Sequence, residues 1–465
     1  MRPSARHLMS LTAALFFAGA AVAQTPTWRV DFVGTSPPEW SSGVAAEAVN
    51  DSGLVIGNTT VDLIRRPWFG FPGGGLELLP LPPGTTYAVA EDLNAHGVIV
   101  GMVTLEDVGG RAVIWQPGPS GYEAVLLPSG PDGIFPFDAR AINDGGDVVG
   151  KYGLFSNYHW SAETGVTEIE AFPVNPDDIN NQRQILGDTY RMDLDTGIVE
   201  DLGNPTDTGY NYLFTDLTVI NDAGESGGYG NVATGQSESK QPVRFTDGVG
   251  WRVFNSFPMV TANVMGIAAS GDTTYQLGIY GLWIFVEGYG DILLENTVDP
   301  DFAEWDLTGA FAPRISRSGR LATNGGNLLT GEAGIVLLTP AGFESLGGES
   351  PGALGTPVLT GYGVPAPGEP VRIRLASAAK SNNAFLVIST NSNPIPILGG
   401  TLYPELGMRV LPLQTDALGR AETTFSWPAN LAPGTEVFVQ AIVRDPEAAE
   451  PYSHTLSNAL VALIE

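Results

Sequence analysis

Short runs of aliphatic and aromatic residues, separated by turn-forming Gly, Pro, Asn and Asp, recur along most of the chain. Runs of this length with such boundaries are typical of β-strands, which alternate with tight turns in antiparallel sheets. The pattern predicts an all-β fold. Gly and Pro lack the three-residue period of collagen, and the hydrophobic content of 43% is too high for a disordered chain.

One motif recurs through the first three quarters of the chain. An aliphatic residue precedes Asn, one Gly usually follows three residues after the Asn, and another follows seven residues after the Asn. The five clear copies are AVNDSGLVIG (48–57), DLNAHGVIVG (92–101), AINDGGDVVG (141–150), DINNQRQILG (178–187) and VINDAGESGG (219–228). Two degenerate copies, at 265–275 and 313–323, have Ala268 and Ser316 in place of Asn. The spacing of 37 to 49 residues between copies is typical of a repeat architecture.

The chemistry of the motif predicts a turn between two strands. Asn bonds readily to the backbone of its own turn, and a Gly three residues later supplies the positive φ that closes the turn. The second Gly permits close approach of a neighbouring backbone. The predicted turn residues are Asn50, Gly53, Gly57, Asn94, Gly97, Gly101, Asn143, Gly146, Gly150, Asn180, Gly187, Asn221, Gly224 and Gly228. In the fourth copy Arg183 stands where the other copies have Gly.

Each repeat carries signals for four short strands. An aromatic-aliphatic strand follows the motif, as in RAVIWQP (111–117), and a fourth strand such as YEAVLLP (122–128) completes the unit. Four antiparallel strands in about 40–45 residues are the signature of a propeller blade. We therefore predict a seven-bladed β-propeller over residues 24–342, with WRVDFVG (28–34) closing the seventh blade. Six or eight blades are the alternatives, and an open array is less favoured because nothing resembles a polar capping repeat.

The repeat resembles a known family. The combination of IN-x-x-G-x-V-V-G with an R-A-V-I-W strand and an E-D-L-G strand is similar to the bacterial extracellular repeat named HAF, most closely at 48–57, 92–117 and 141–160. The resemblance implies a secreted protein with a propeller-like fold. It implies no particular reaction, because this family has no established catalytic motif.

The remainder of the chain predicts a second β domain. The Gly/Pro-rich segment LGGESPGALGTP (346–357) marks a boundary, and we assign 343–357 to a linker. About eight strand signals follow in residues 358–465, which predicts a small immunoglobulin-like β-sandwich. This region also resembles the small C-terminal β modules of secreted bacterial proteins. The chain contains no Cys, so neither domain depends on a disulfide.

The first residues predict export. Arg2 and Arg6 precede the short apolar run LMSLTAALFFAGA (8–20), and Ala21-Val22-Ala23 forms a small-x-small cleavage site. We expect residues 1–23 to be a signal peptide cleaved near Ala23, which leaves a secreted, periplasmic or cell-surface protein without a transmembrane segment. We expect this protein to be a monomer.

Charge excludes several partners. The net charge is −29, only three lysines occur, and no basic stripe is present, which argues against nucleic acid and against an anionic membrane surface.

Candidate catalytic groups are scarce. The three histidines after the signal, His96, His159 and His454, show no zinc-ligand spacing. Two G-x-S-x-G matches, at Ser226 and Ser350, lie in a predicted hairpin and in the linker rather than at a strand-to-helix turn. We therefore predict no catalytic and no cofactor-binding residues.

Calcium is the one metal that the sequence leaves open. Asn143, Asp144 and Asp147 offer oxygen ligands of the kind that Ca²⁺ takes, but they do not match the EF-hand loop. Solvated Asn and Asp turns are the favoured interpretation of these residues.

Three functions fit the sequence. The first is a non-catalytic secreted or cell-surface protein whose propeller binds an unknown protein or polysaccharide. The second is a carbohydrate-active enzyme, a glycoside hydrolase or lyase, that uses carboxylates at the propeller mouth. The third is a structural envelope or matrix protein. Aromatic residues outside the motifs would stack on sugars in the second case and pack between blades in the others; they are Trp40, Tyr210, Tyr212 and Trp305.

Overall fold

The computed structural model describes residues 25–465, apart from 42, 153–155, 207–210, 235–236, 255–260, 309–311, 406–408 and 449–451. The predicted signal peptide and Tyr210 therefore lie outside the described residues. The fold is all-β, as the sequence predicts. The helical segments in the described residues are three short 3-10 turns at Gly278–Tyr280, Leu294–Thr297 and Pro300–Phe302.

Strand β1 (Trp28–Gly34) is followed by six four-stranded antiparallel sheets, each built from strands that are consecutive in the chain. The first three sheets contain β2 (Ala45–Val49), β3 (Val55–Val61), β4 (Ile64–Phe71) and β5 (Gly75–Leu78); β6 (Thr85–Leu93), β7 (Ile99–Leu105), β8 (Gly109–Gly118) and β9 (Gly121–Leu126); and β10 (Ala141–Ile142), β11 (Val148–Tyr152), β12 (Ser156–Ser161) and β13 (Gly165–Glu168). The next three contain β14 (Asp178–Ile179), β15 (Gln184–Gly187), β16 (Tyr190–Asp193) and β17 (Val199–Asp201); β18 (Tyr212–Ile220), β19 (Ser226–Thr234), β20 (Ser237–Thr246) and β21 (Gly250–Val253); and β22 (Ala262–Ile267), β23 (Thr273–Leu277), β24 (Leu282–Val286) and β25 (Gly290–Leu293).

The seventh sheet joins the two ends of the repeat region. It contains β27 (Arg314–Ile315), β28 (Leu321–Asn327) and β29 (Ala333–Pro340), with the short strand β26 (Trp305–Asp306) also paired to β28. Strand β1 pairs antiparallel with β29 and is the outermost strand of this sheet. The segment WRVDFVG therefore completes the seventh sheet, as the sequence predicts.

Apolar side chains fill each junction between consecutive sheets. Separate hydrophobic clusters join sheets one and two, two and three, and so on to six and seven. A further cluster joins the seventh sheet to the first, with Ile335 and Leu337 packed against Val55 and Trp68. The sheets therefore form a closed, propeller-like arrangement. Charge is sparse because most strands have neighbours on both faces, where an unpaired charge is costly to desolvate.

The repeated Asn links neighbouring sheets as well as closing its own turn. The Asn94 side-chain oxygen accepts from the backbone N–H of His96 and Val98, while its amide donates to the carbonyl of Asn143 in the next sheet at 3.1 Å. The same amide-to-carbonyl bond runs from Asn50, Asn143, Asn180 and Asn221. Five bonds thus tie six consecutive turns together at one end of the sheets, which we name the turn face.

The two glycine positions of the motif require Gly for different reasons. Those at the third position adopt positive φ, and Arg183 adopts a φ of 59° at the same point while its guanidinium pairs with Asp147 and Asp195. Those at the seventh position lie against a backbone carbonyl, and a Cβ on Gly101 would lie 2.0 Å from the oxygen of Val89. Only Gly fits at such an approach.

The chain beyond the seventh sheet forms two packed sheets, which we name the C-terminal module. The strands are β30 (Glu344–Gly347), β31 (Val358–Tyr362), β32 (Pro370–Ala376), β33 (Asn383–Ser389), β34 (Ser392–Ile397), β35 (Gly400–Pro404), β36 (Arg409–Gln414), β37 (Ala421–Ser426), β38 (Glu436–Arg444), β39 (His454–Leu456) and β40 (Ala459–Leu463). One sheet has the order β30-β40-β38-β33-β36, with β39 beside β38, and the other has the order β31-β32-β37. Residues of both sheets share one core, and β34–β35 is a separate hairpin.

The segment 343–357 differs from the linker that the sequence predicts. Its residues 344–347 form β30, which pairs with β40 and so belongs to the sheet of the C-terminal module. The Gly and Pro residues of this segment indicated a domain boundary and a linker, and the structure shows Gly347 and Gly348 with positive φ at the end of β30. A short strand among glycines carries too weak a sequence signal to be recognised without its partner strand.

Candidate functional site

A central channel of about 320 Å³ runs between the seven sheets. It is lined by the first strand of every sheet and by the repeat turns that follow these strands. Because the first strands all end at the turn face, they all begin at the opposite end, which we name the open face. The channel is the one cavity to which all seven repeats contribute in the described part of the chain.

The turn face is closed across the channel by polar contacts. Arg317, from the seventh repeat, pairs with Asp144 and with Asp222, both at 2.9 Å, on the far side of the ring. Asn181 donates to both of these carboxylates. Arg317 also donates to the carbonyl of Thr356 at 2.9 Å, so the start of the C-terminal module lies over this end of the channel.

The C-terminal module covers the turn face through buried ion pairs. Arg374 pairs with Asp272 at 2.7 Å and donates to the Ser270 carbonyl, while Arg420 pairs with Glu225. Burial alone would raise the pKa of Asp272, but the charge of Arg374 holds that pKa below its usual range. Arg420 and Arg244 overcome the burial of Glu225 in the same way and lower its pKa to about 2.

The opposite end of the channel, its mouth at the open face, is acidic. Two ion pairs lie there, Arg314 with Glu47 at 3.1 Å and Arg140 with Asp177 at 2.8 Å. Glu91 lies on the same rim with its side chain exposed, but the surrounding channel wall desolvates it in part, and this, followed by the charges of Glu47 and Asp138, raises its pKa to about 7.

Two more carboxylates lie deeper in the channel and serve the fold. Asp92 accepts from the backbone N–H of Leu93 and, in the next repeat, of Ile142. Asp178 makes the equivalent bonds to Ile179 and Ile220. Burial raises the pKa of Asp92 to about 6 and raises the pKa of Asp178 well above its usual range.

A second cavity of about 340 Å³ adjoins the mouth. It is lined by Arg140, Val174, Asn175, Asp177, Asp188, Asp216 and Thr218. Burial and then the neighbouring carboxylates Asp216 and Asp188, opposed by Arg140, raise the pKa of Asp177 to about 6. The pKa of Asp188 is raised by burial and by Asp216. Negative charge therefore exceeds positive charge around this cavity.

The calcium candidates are engaged by the protein itself. Asp144 accepts from Ala95 N–H, Asn181 and Arg317. Asp147 accepts from Asn143 and contacts His159 at 2.6 Å and Arg183.

These bonds occupy both carboxylate oxygens of Asp144 and of Asp147, and they leave no cluster of free oxygens around a central position. Within the described residues, no group of three or more His, Asp or Glu is placed to hold a metal ion.

The other residues that the sequence singled out have packing roles. His159 is buried against Asp147, Trp40 packs between the first and seventh sheets, and Trp305 lies against Phe32 with ring centroids 5.5 Å apart. Tyr212 packs over Gly230 and bonds to Gln241. These aromatic residues do not line the channel.

The remaining candidates lie away from the channel as well. Ser226 and Ser350 are buried, and the Ser350 hydroxyl accepts from Leu456 N–H. His96 lies in its repeat turn, and His454 begins β39 in the C-terminal module.

The residues that form the mouth were missed at the sequence level. Glu47, Glu91, Arg140 and Asp177 all lie three residues before the repeated Asn, and two of them occupy a β-bulge between the first and second strands. A bulge redirects a side chain from the strand face. The signal that would have found them is a charged residue at a fixed offset within an otherwise apolar strand.

Comparisons with known proteins show a likeness of fold only. No family model and no curated protein sequence matches the chain. Among solved structures, the chain is similar to a catalytically inactive virginiamycin B lyase from Staphylococcus aureus with quinupristin, at 11% identity and a TM-score of 0.40, over 67% of this chain and 99% of that one. It is also similar to a chain of the mitotic checkpoint complex, at 12% identity and a TM-score of 0.37, over 70% and 98%.

One further finding concerns membranes. In the part of the chain that the structure describes, no helix is long and apolar enough to span a bilayer.

Proposed function

We propose that the protein is a non-catalytic binding scaffold, a seven-bladed propeller with a C-terminal β-sandwich of immunoglobulin type, in which the open face takes the ligand. One observation carries the proposal: one end of the ring is covered by the rest of the chain, and the other end is not. The C-terminal module and the Arg317 contacts cover the turn face, whereas the channel mouth at the open face keeps uncovered charged and apolar side chains. A concave site with converging polar groups is the ordinary form of a binding site.

Site-specific photocross-linking tests this proposal, because the chain has no Cys and an introduced one is unique. Leu329 on the open face and Val249 on the turn face are 83% and 79% exposed, which makes them a matched pair. Leu329→Cys and Val249→Cys, each carrying a maleimide cross-linker, are incubated with envelope and culture fractions of the producing organism.

We expect adducts from the open-face site, and sensitivity to protease or to periodate tells a protein from a polysaccharide. Equal labelling from both sites, or none from either, contradicts the scaffold proposal.

Export is the second part of the proposal. The basic start, the short apolar run and the Ala21-Val22-Ala23 site support cleavage after Ala23, and the similarity to HAF repeats supports secretion. Sequencing the N-terminus of the mature protein checks this, with Gln24 as the expected first residue. Retention of Met1, or cell-associated protein with an intact leader, contradicts it.

A carbohydrate-active enzyme is the second candidate function. It is favoured by Glu91, whose pKa near 7 suits an acid that donates a proton at neutral pH. Against it, none of the described residues that line the channel is aromatic, so none of them would stack on a sugar ring. Depolymerisation of polysaccharides by the intact protein, lost in Glu91→Gln, would replace the scaffold proposal with this one.

A further inference from the structure

Exposed apolar side chains are concentrated on the open face. Among the described residues, ten large ones lie on its hairpins and connections, and they are Leu63, Val108, Ile134, Phe135, Phe137, Leu213, Phe214, Tyr280, Leu328 and Leu329, from 41% to 94% exposed. In the same part of the chain the turn face has three, which are Phe71, Ile198 and Val249. Exposed apolar side chains that are concentrated at one end of a protein favour that end as the contact surface for a partner.

These apolar residues adjoin the acidic mouth. Phe137 directly precedes Asp138, and Phe214 lies two residues before Asp216 on the first strand of the fifth sheet. Phe135 is already stacked by Arg111, whose guanidinium carbon lies 3.6 Å from the ring centroid. Apolar and acidic residues therefore lie next to each other at these two points of the open face, and the Phe135 ring already receives a cation.

The acids of this surface exceed its cations. Arg140 and Arg314 are engaged by Asp177 and Glu47, so Glu91, Asp188 and Asp216 have no Arg, Lys or His ion-pair partner in the described chain. Burial raises the pKa values of Asp177 and Asp188, and the charge of Asp216 raises both further, so Asp177, Asp188 and Asp216 repel one another in their charged forms. A cation between these carboxylates would relieve that repulsion.

We propose that the open face binds a basic segment of a partner protein, with a Lys or Arg side chain entering the cavity between Asp177, Asp188 and Asp216 and apolar side chains packing on Phe135, Phe137 and Phe214. The proposal rests on the binding-scaffold function and names the partner of the same site. Charge complementarity selects this occupant, since an acidic or purely apolar segment leaves the carboxylates unpaired.

Two other occupants fit less well. A metal ion requires three or more converging ligands, and the described residues contain no such group. A free amine would fill the cavity but would leave the apolar rim exposed. A basic segment with apolar neighbours satisfies both parts of the surface.

The test uses the intact protein and short fluorescein-labelled peptides with a central Arg-Lys pair. One peptide has flanking Leu and Phe, a second has Ser in place of the basic pair, and a third has Ser in place of the apolar residues. The protein variant Glu91→Gln/Asp188→Asn/Asp216→Asn removes three charges at the mouth. Its matched control, Glu77→Gln/Glu123→Gln/Glu168→Gln, removes three exposed charges from the outermost strands β5, β9 and β13.

We expect the peptide with both basic and apolar residues to bind, and each Ser peptide to bind at least about tenfold more weakly. We expect the mouth variant to bind the first peptide with about tenfold lower affinity than the unmodified protein, and the control variant to change that affinity by less than about twofold. Equal loss in the two variants would show attraction to the overall negative charge alone. No binding at low salt, or equal binding of spermine and the peptide, also overturns the proposal. Leu329 adducts without peptide binding would refute the basic partner while leaving the scaffold function intact.

Discussion

The two faces of the ring use the same residue types in opposite ways. At the turn face, Glu225 and Asp272 are buried beside arginines of the C-terminal module, and their pKa values are lowered. At the channel mouth, Glu91 and Asp177 have raised pKa values, since burial and neighbouring carboxylates outweigh the nearby arginines. Acidity alone therefore says little about a site. The placement of the few arginines decides which carboxylates hold the fold together and which remain for a partner.

The largest effect is expected from opening the ring, on which both faces depend. Deleting residues 24–36 removes β1 and with it the buried side chains of Trp28, Val30 and Val33. Each is worth about 1.5–3 kcal/mol, so the loss approaches the whole stability of an ordinary domain. We expect a sharply lowered Tm or failure to fold, measured by circular dichroism. Deleting only residues 24–26 is the control, and an unchanged Tm in the longer deletion would refute closure by β1.

The next largest effect distinguishes the buried ion pairs from the exposed ones. Arg374→Ala leaves Asp272 buried without its cation and should cost about 3–5 kcal/mol of unfolding free energy. Arg314→Ala, at the mouth, breaks a partly exposed pair with Glu47 and should cost less than about 1 kcal/mol. Urea unfolding of both variants measures the difference.

The double variant Asp272→Asn/Arg374→Met removes both charges of the buried pair and should recover part of the loss. Equal costs for Arg374→Ala and Arg314→Ala would mean that the two faces do not differ as described.

A smaller effect concerns Asn residues at the two faces. Asn94→Ala removes the bond to the Asn143 carbonyl and leaves that oxygen buried without this donor, at a cost of about 1–3 kcal/mol. Asn327 accepts from Leu329 and Thr330 in a half-exposed open-face turn, and Asn327→Ala should cost about 0.5 kcal/mol. Denaturant midpoints measure both, and a larger cost at Asn327 would contradict the structural role of the repeat.

The smallest effect is a pH dependence of opposite sign at the two faces. The pKa of Glu91 is raised from 4.5 to about 7, so its contribution to stability is complete below about 4.5 and is lost as pH rises toward 7. The pKa of Glu225 is lowered from 4.5 to about 2, so its contribution is present above about 4.5 and is lost as pH falls toward 2.

In Glu91→Gln, the free energy of unfolding should fall less between pH 5 and 7 than in the unmodified protein, while the loss of stability below about pH 4.5 stays the same. Urea unfolding at a series of pH values measures both. Glu123→Gln, on an outermost strand, is the control. The effect is modest because the Glu91 side chain retains contact with solvent. An identical profile in Glu91→Gln and the unmodified protein would contradict the raised pKa.

Much of the fold could be predicted because its signals are local. A turn needs Asn and Gly at fixed offsets whatever surrounds it, and this made five repeats visible in the sequence. The degenerate sixth and seventh copies contact the C-terminal module, since Ala269 packs with Val358 and Ala376 and the Ser318 carbonyl accepts from Thr360. In the seventh copy the Ser316 hydroxyl accepts from Arg320 N–H and so makes one of the turn bonds that Asn makes in the clear copies.

The candidate site could not be predicted in the same way. Asp144 and Asp147 were weak calcium candidates within a turn because they are close in sequence, but their partners Arg317, Arg183 and His159 come from elsewhere in the chain. Glu91 lies near Glu47 and Asp138 of the neighbouring repeats, and Asp188 of the fourth repeat lies near Asp216 of the fifth, so these groupings exist only when the sheets are arranged in a ring.

The sequence by itself determined the strands, the turns and the recurrence of one unit, because backbone conformation depends on neighbours a few residues apart. It also determined the acidic surplus and the absence of Cys. Tertiary structure alone decided which carboxylates are paired. The energy of a charge depends on burial and on the distance to its counter-charge. Packing of the C-terminal module on the turn face brought Arg374 to Asp272, while the arrangement of the sheets left Glu91, Asp188 and Asp216 without such a partner.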